Sequence, residues 1–354
     1  MDPETDSSAS TTLTKTEDNN EEATAAGDCV FKGEPFGFGE GTQENKYQVC
    51  TVAHLDQVRN YPNAYFKQVS DIDFVEDQTD DSEDLTDDDE SSEPSDLTQD
   101  WDPIEVFNGS YDGDDNSINN MTINSPGPSA FITKLDSDGF IKNVKFNDIS
   151  VVGTVDVAAV VIANFGAVEN IEVTGDLTKE DESNNGRVGG VVSYNYNKVT
   201  GIKVDLTITN YGGYDSHTGG IVAFNEGEVT SSTADTVLFA KYNVGGCVGL
   251  STGSLSELSC TSSVTDIANG SNFGGVVGRN NGAVSSVYAN VFMYRPYSDS
   301  GGIAGYNDTA GEISQASSEG ELFNARSYRH GGLVGKNSGI VRESKSSIKI
   351  IGKR

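Results

Sequence analysis

The segment Gly331–Val341, GGLVGKNSGIV, contains four glycines set among apolar residues. This composition is unfavourable for an α-helix, because glycine in a helix interior costs free energy relative to alanine. The same pattern recurs as GGVVGRNNGAV at Gly274–Val284 and as GGIVAFNEGEV at Gly219–Val229. A motif that is too short to fold alone and recurs along one chain is typical of a repeat protein.

Eight copies of the motif follow one another with a period of 26–31 residues. Two degenerate copies open with Ser129-Ala130 and Ala158-Ala159, and six begin with a glycine pair. The rest of each copy alternates apolar and polar residues at period two, which predicts short β-strands. The glycine pairs begin at Gly189, Gly219, Gly245, Gly274, Gly301 and Gly331.

The period predicts an all-β fold in which each copy forms one coil of a parallel β-helix, a solenoid of about eight coils. Equivalent residues of neighbouring coils would then stack about 4.8 Å apart along the axis. A β-propeller is less compatible, because its blades need about 40–50 residues.

One asparagine recurs after the apolar pair in six copies, and Leu135 and Ser251 replace it in the other two. Because equivalent positions stack, we expect these side-chain amides to form a ladder of hydrogen bonds along the axis. The ladder residues are Asn164, Asn195, Asn225, Asn280, Asn307 and Asn337.

These repeats resemble the GLUG-motif family, whose core is a Gly-Leu-apolar-Gly sequence that GGLVGKNSGIV matches most closely. Phe36–Phe74 and Trp101–Ile123 are similar to the segments that commonly precede such repeats. The resemblance covers about residues 28–354 and implies a right-handed parallel β-helix. Family members occur in large exported bacterial surface proteins, including adhesin-like proteins and some IgA-directed metallopeptidases, so the resemblance implies display outside the cell.

The chain divides into three parts by composition. Residues 1–27 are polar and are expected to form a flexible tether, residues 28–128 a cap and leading segment, and residues 129–354 the repeats. Within the second part, residues 76–100 carry 13 acidic and no basic residues and predict a mobile loop. Val52–Asn60 has apolar residues on one helical face and predicts a short helix that caps the N-terminal end of the solenoid.

The net charge of -32 is concentrated near the N-terminus. Residues 1–105 hold 29 acidic and 5 basic residues, which argues against nucleic acid as a partner. If the acidic loop binds an ion, calcium is the expected one, and the alternative is a solvated acidic run; no other cofactor is predicted. No run of 18 apolar residues exists, so direct membrane insertion is not predicted. A polar tether of this kind is common after a cleaved signal or a lipid anchor.

The four cysteines carry two predictions. Cys29 and Cys50 flank one loop and are expected to form a disulfide in an oxidising compartment. Cys247 occupies the position of Val191 and Ile221 in other copies, and is therefore expected to point inward and be unreactive.

The segments just before the glycine pairs are the predicted binding surface, and the alternative is that they are ordinary loop residues that shield the strand edges. Because they share one position in the repeat, they should line up along one edge of the rod, and tyrosine and arginine are enriched at binding hot spots. Only Asp299 lies close in sequence, so several guanidinium groups are expected to be free for an anionic or polar ligand. The residues are Tyr214, Tyr242, Tyr294, Arg295, Tyr297, Arg326, Tyr328 and Arg329.

The predicted function is that of a non-enzymatic, exported, bacterial cell-surface protein that acts as an adhesin and binds a surface glycan or a host or cell-surface protein. The chain has no H-E-x-x-H or G-x-S-x-G motif, and no catalytic residues are predicted. One alternative is a carbohydrate-active β-helix, either a polysaccharide lyase or a glycoside hydrolase. However, Asp215 and Asp299 would lie about 14 Å apart, which is too far for a carboxylate pair. The other alternative is a structural spacer or stalk.

Overall fold

The structure is a computed structural model that describes residues 35–75, 100–183, 185–326 and 328–352. The tether at residues 1–27, Cys29 and residues 76–99 of the acidic loop lie outside the described residues. The predictions for these segments, including the Cys29–Cys50 disulfide, therefore stay predictions.

The described chain is almost entirely β-structure, with helical turns only at α1 (Val52–Gln57) and the 3-10 turn Val58–Asn60. The first strands are β1 (Tyr47–Val49), β2 (Tyr65–Gln68), β3 (Ile72–Asp73), β4 (Ile104–Phe107), β5 (Ser110–Asp112), β6 (Ser117–Asn119), β7 (Thr122–Ser125), β8 (Ile132–Leu135), β9 (Phe140–Gly153), β10 (Val157–Ala158), β11 (Val161–Asn164), β12 (Ala167–Lys179), β13 (Arg187–Gly189), β14 (Val192–Asn195), β15 (Lys198–Thr200) and β16 (Lys203–Asn210). They are followed by β17 (His217–Gly219), β18 (Val222–Asn225), β19 (Glu228–Gly245), β20 (Val248–Ser251), β21 (Ser254–Gly274), β22 (Val277–Asn280), β23 (Ala283–Tyr294), β24 (Ser298–Gly301), β25 (Ala304–Asn307), β26 (Glu312–Ala325), β27 (His330–Gly331), β28 (Val334–Asn337), β29 (Ile340–Arg342), β30 (Lys345–Ser346) and β31 (Lys349–Gly352).

The strands build a parallel β-solenoid of about nine turns, which confirms the predicted fold class. One wall is a nine-stranded parallel sheet of four-residue strands, one from each coil: β4, β8, β11, β14, β18, β20, β22, β25 and β28. The predicted count of eight missed the coil that contains β4, which pairs with β8. In that coil, Trp101-Asp102 stands where the later copies have two small residues, so the motif does not reveal it.

The longer strands form the remaining sides of the solenoid, and alternate side chains along them point into the interior. β12, β16, β19, β21, β23 and β26 pair in parallel, each with its equivalent in the next coil. One inward column runs through five consecutive coils and is fully buried, so each coil covers the apolar face of the one before it. This column consists of Val168, Val199, Val229, Leu255 and Val284.

The glycine pairs mark a place where successive backbones approach each other too closely for a side chain. A Cβ atom added to Gly190 would lie 1.8 Å from the carbonyl oxygen of Gly220, and one added to Gly220 would lie 2.1 Å from that of Gly246. Because real Cβ atoms do not approach oxygen this closely, these positions require glycine. The recurrence of the pair therefore follows from the stacking of the coils.

The N-terminal end of the described solenoid carries the predicted short helix. Thr51 caps α1 by accepting a hydrogen bond from the His54 backbone N–H at 3.1 Å. Leu55 and Val58 are buried against the core, and the aromatic ring of Phe36 packs beside them within the same cluster. Among the described residues, no helix is long and apolar enough to cross a membrane.

Cys247 is fully buried, as its position in the repeat predicts, and it forms a disulfide with Cys260, which is also fully buried. Their Cα atoms lie 5.7 Å apart, and 13 positions separate them in sequence. The bond therefore joins the turn before β20 to strand β21 of the same coil. This pairing was not predicted from the sequence.

Candidate functional site

The turn after each short strand, which we call the ladder corner, holds the predicted asparagine ladder. The amide of Asn164 donates to Asn195 at 2.8 Å, and that of Asn195 donates to Asn225 at 2.8 Å. The upper part of the ladder repeats the pattern from Asn280 to Asn307 at 2.9 Å and onward to Asn337. From Asn164 to Asn307 these side chains are fully buried, so they hold the coils in register and are not available to a ligand.

The ladder weakens at the two positions where the repeat departs from asparagine. Asn225 donates to the hydroxyl of Ser251 at 3.1 Å, a shorter side chain that bridges the two halves less completely. At the other exception, Leu135 offers no donor to its neighbour, and the side-chain oxygen of Asn164 is buried without a hydrogen-bond partner.

The opposite corner lies just before the small-residue pairs, and we call it the loop edge. It comprises residues 211–217, 240–243, 268–272, 295–300, 325–326 and 328–330, in successive coils. The structure brings predicted residues together here in pairs: the rings of Tyr214 and Tyr242 lie 5.0 Å apart, and those of Tyr297 and Tyr328 lie 5.3 Å apart.

A cavity of about 340 Å³ opens beside the first of these pairs, and we call it the tyrosine cavity. Tyr214 is 81% exposed, so its ring presents a large aromatic surface at the mouth. The Nζ atom of Lys241 donates to the carbonyl oxygen of Tyr211 at 2.9 Å and lies 3.9 Å from the carboxylate of Glu182. The cavity thus combines an aromatic wall with a pair of opposite charges, and its volume is in the range of small-molecule sites.

A second cavity of about 140 Å³ adjoins it, and we call it the arginine cavity. Arg295, Arg326 and Asn269 line it together with Asp266. Ala268 lines both cavities, so the two lie side by side along the loop edge.

The structure agrees only in part with the prediction that several guanidinium groups of this edge are free. Arg329 binds both carboxylate oxygens of Asp299, at 2.6 and 3.0 Å, and is therefore neutralised. Arg326 donates to the neutral side chain of Asn269 at 2.7 Å, while its Nε atom is buried without a partner. Among the described residues, the Arg295 side chain forms no hydrogen bond or ion pair.

Tyr294 also departs from the prediction, because it does not belong to the row of loop residues. It is the last residue of β23, and its ring stacks on Phe323 of the next coil at 6.1 Å. Strand alternation points it outward from the wall, together with exposed Phe292.

Buried polar residues at the ends of the long strands hold the loops in place, and sequence reasoning missed them. Asn210 accepts a hydrogen bond from the Gly212 backbone at 2.8 Å and donates to Thr218 at 3.0 Å. Asp266 accepts hydrogen bonds from the backbones of Ala268 and Gly270 at 3.1 and 2.9 Å. These contacts fix the loop backbones, so the edge is preorganised.

Lys179, at the end of β12, has the same role. It pairs in register with Asn210 of the next coil, and the same column continues through Ala240 to Asp266. Lys179 is fully buried and donates from Nζ to the carbonyl oxygen of Asp181. The sequence signal for all three is a polar residue at the inward position that ends an alternating strand.

His217 ties the loop edge to the core beneath it. Its ring is 7% exposed and stacks on Phe224 at 5.8 Å, and its Nδ1 atom lies 3.0 Å from the side-chain amide of Asn243. Burial, and then the nearby charge of Arg187, lower the pKa of His217 to about 4. The imidazole is therefore neutral at physiological pH and acts as a packing group.

No cluster of three or more metal-ligating side chains occurs in the described part of the chain. The predicted calcium ligands of residues 76–100 lie almost wholly outside it, so calcium binding by that loop stays a prediction.

Comparison with known proteins places the fold but not the activity. No protein-family model matches the chain, so the GLUG relationship stays a prediction. Halomucin from Haloquadratum walsbyi is 31% identical over 159 residues, which cover 44% of this chain but 2% of that protein. An IgA1 protease structure matches 77% of this chain and 21% of its own, with a TM-score of 0.53 and 14% identity. A putative immunoglobulin A1 protease from Bacteroides ovatus matches 88% of both chains, with a TM-score of 0.49 and 15% identity. The likeness to the IgA1 protease, at this level of identity, shows a shared β-solenoid fold alone.

Proposed function

We propose that this chain is a non-enzymatic, ligand-binding module of an exported cell-surface protein, and that its loop edge binds a surface glycan. The observation that carries the proposal is the pair of neighbouring cavities, the tyrosine cavity and the arginine cavity, that share Ala268 on the loop edge. Tyrosine and arginine are the residue types that contribute most to binding surfaces. Tyr214 offers an exposed ring against which a sugar ring can stack.

The preorganised loops support this function. Asn210 and Asp266 are buried polar side chains whose hydrogen bonds fix the backbone of the edge. A rigid site loses less conformational entropy when a ligand binds. A stalk or spacer, the second alternative, needs neither such loops nor an aromatic cavity.

Two observations support a location outside the cell. The interior disulfide between Cys247 and Cys260 is of the kind that persists in oxidising compartments. Part of the chain is also similar to a protein named Halomucin. The likeness to an IgA1 protease supports the fold only, and the proposal assigns no peptidase activity to this chain.

The experiment that tests the proposal is binding of the whole chain to arrays of glycans and of cell-surface proteins. We expect saturable binding to at least one glycan class, and we expect the double substitution Tyr214→Ala and Tyr242→Ala to abolish it. Both rings lie at the mouth of the tyrosine cavity, so the fold should tolerate their removal.

The matched control is Tyr196→Ala. Tyr196 is 38% exposed on the ladder side, where its ring stacks on Phe165 at 4.6 Å. Binding that survives the double substitution, or that Tyr196→Ala reduces equally, would refute the loop edge as the binding surface. If the chain binds no glycan at all, the result would favour the alternative function of a structural spacer.

A further inference from the structure

The charge balance of the arginines singles out one cavity. Five described arginines have a carboxylate within 4.0 Å: Arg59, Arg187, Arg279, Arg329 and Arg342. Arg295 and Arg326 are the two described arginines without such a partner, and both line the arginine cavity. In a chain with a net charge of -32, two unpaired guanidinium groups at one place require an explanation.

The carboxylate in the same cavity does not neutralise them. Asp266 is 7% exposed, and its oxygens accept hydrogen bonds from the backbone amides of Ala268 and Gly270. It lies beyond 4.0 Å from either guanidinium group, since no ion pair forms. Burial raises the pKa of Asp266, and the backbone hydrogen bonds and the nearby charge of Arg326 only partly oppose this shift.

We propose that the arginine cavity is an anion subsite for the carboxylate or sulfate group of an acidic polysaccharide. This inference rests on the proposed glycan-binding function and names its ligand class. Guanidinium groups bind planar and tetrahedral oxyanions through paired hydrogen bonds. The buried Nε atom of Arg326, which has no partner, is a donor that such an anion can satisfy. A volume of about 140 Å³ suits the charged group rather than a whole saccharide.

The adjoining tyrosine cavity accommodates the neighbouring sugar. Strand register places Tyr242 beside Ser271 and Ser271 beside Ser298, so the two cavities are offset by about two coils. At about 4.8 Å per coil this is roughly 10 Å along the axis. A polysaccharide lying along the loop edge would place one ring against Tyr242, or one coil further away against Tyr214, while an acidic group elsewhere on the same chain meets Arg295 and Arg326.

The test uses the whole chain and three defined probes: polygalacturonate, which carries carboxylates, dextran sulfate, which carries sulfates, and neutral dextran. We expect at least one acidic probe to bind more tightly than dextran, and its binding to weaken as salt is raised. Whichever acidic probe binds identifies the charged group.

Two substitutions and a matched control locate the site. Arg326→Gln and Arg295→Asn should each lower the affinity for the acidic probe by about tenfold or more. Asparagine is chosen at position 295 because this residue has a φ of 58°. Arg329→Gln removes a neutralised guanidinium from the same edge and should change the affinity by less than about threefold. Thermal unfolding of each variant shows that it is folded.

Each outcome decides the matter. Equal weakening by Arg329→Gln, or unchanged binding in Arg326→Gln, would overturn the anion subsite. Binding of dextran alone would overturn it while leaving the glycan-binding function intact. If Tyr214→Ala abolishes binding and neither arginine substitution changes it, the anion subsite is likewise overturned while the glycan-binding function stands.

Discussion

The two corners of this solenoid solve the same problem in different ways. Each must satisfy buried polar groups where the chain turns from one wall to the next. At the ladder corner, six of the nine coils use asparagine, and Asn195 bonds to its own copies above and below. At the loop edge, consecutive coils use different residues, and Asn210 and Asp266 each bond to the loop that follows them.

This difference separates stability from recognition. A residue whose partner is its own equivalent in the next coil cannot change alone, because a substitution disturbs both neighbours. A residue whose partner belongs to its own loop can change together with that loop without affecting the stack. The loop edge is therefore the corner at which cavities of different chemistry can form on a constant frame.

The largest effect is expected at the ladder. Asn195→Ala removes both ladder hydrogen bonds of a fully buried side chain and leaves the amide oxygen of Asn225 without its donor. We expect a loss of about 4 kcal/mol in the free energy of unfolding, because unsatisfied buried groups and the new cavity both contribute. Urea titration followed by circular dichroism measures it.

Glu226→Ala is the matched control for this substitution. Glu226 lies in the turn of the next coil, and its side chain is exposed. It should change stability by less than about 0.5 kcal/mol. Similar losses for Asn195→Ala and Glu226→Ala would show that the ladder does not hold the coils together.

A smaller effect is expected where the ladder is interrupted. The coil that carries Ser251 in place of asparagine is also the coil closed by the Cys247–Cys260 disulfide. Replacing both cysteines with alanine should cost about 3 kcal/mol, from the loop-entropy estimate for a loop of this length. Urea titration measures the loss, and peptide mapping without reductant checks the pairing.

The substitution Ser251→Asn sharpens this comparison. In the cysteine-free protein it should connect the two halves of the ladder and restore about 1 kcal/mol. If Ser251→Asn destabilises the cysteine-free protein, the serine at the ladder position and the disulfide of the same coil are unrelated features.

The sequence could predict the ladder corner because its contacts obey the repeat. The spacing of Asn195 and Asn225 equals one period, so stacking alone brings the two side chains together. The same argument placed Cys247 in the interior. It could not find Cys260, because the glycine-based alignment does not fix the register of the long strand β21.

The loop edge could be predicted as a row but not as a set of partners. Arg326 meets Asn269, which is 57 positions away, and Arg329 meets Asp299 in the preceding coil. These pairings depend on loop conformations such as the positive φ of Asn269 and Asp299, which single residues do not reveal. Tyr294 was misplaced for a related reason, since the end of β23 could not be located from sequence.

A further effect, smaller than the loss of the ladder or of the disulfide, is a pH dependence at the loop edge. Because the pKa of His217 is about 4 in the folded protein and about 6.5 in the unfolded chain, the unfolded state binds more protons between these values. Stability contributed by His217 is therefore complete above pH 6.5 and is lost as the pH falls towards 4. Between pH 7.5 and pH 5.0, the wild type should lose about 2 kcal/mol more stability than His217→Gln.

The buried carboxyls of Asp156 and Asp266, whose pKa values are raised by burial, act in the opposite direction, but they are present in both proteins and cancel in the difference. Urea titrations of both proteins at the two pH values measure this difference. If the wild type and His217→Gln lose the same stability between the two pH values, His217 can be protonated in the folded protein. The loop edge would then be more open to water than the ladder corner opposite it.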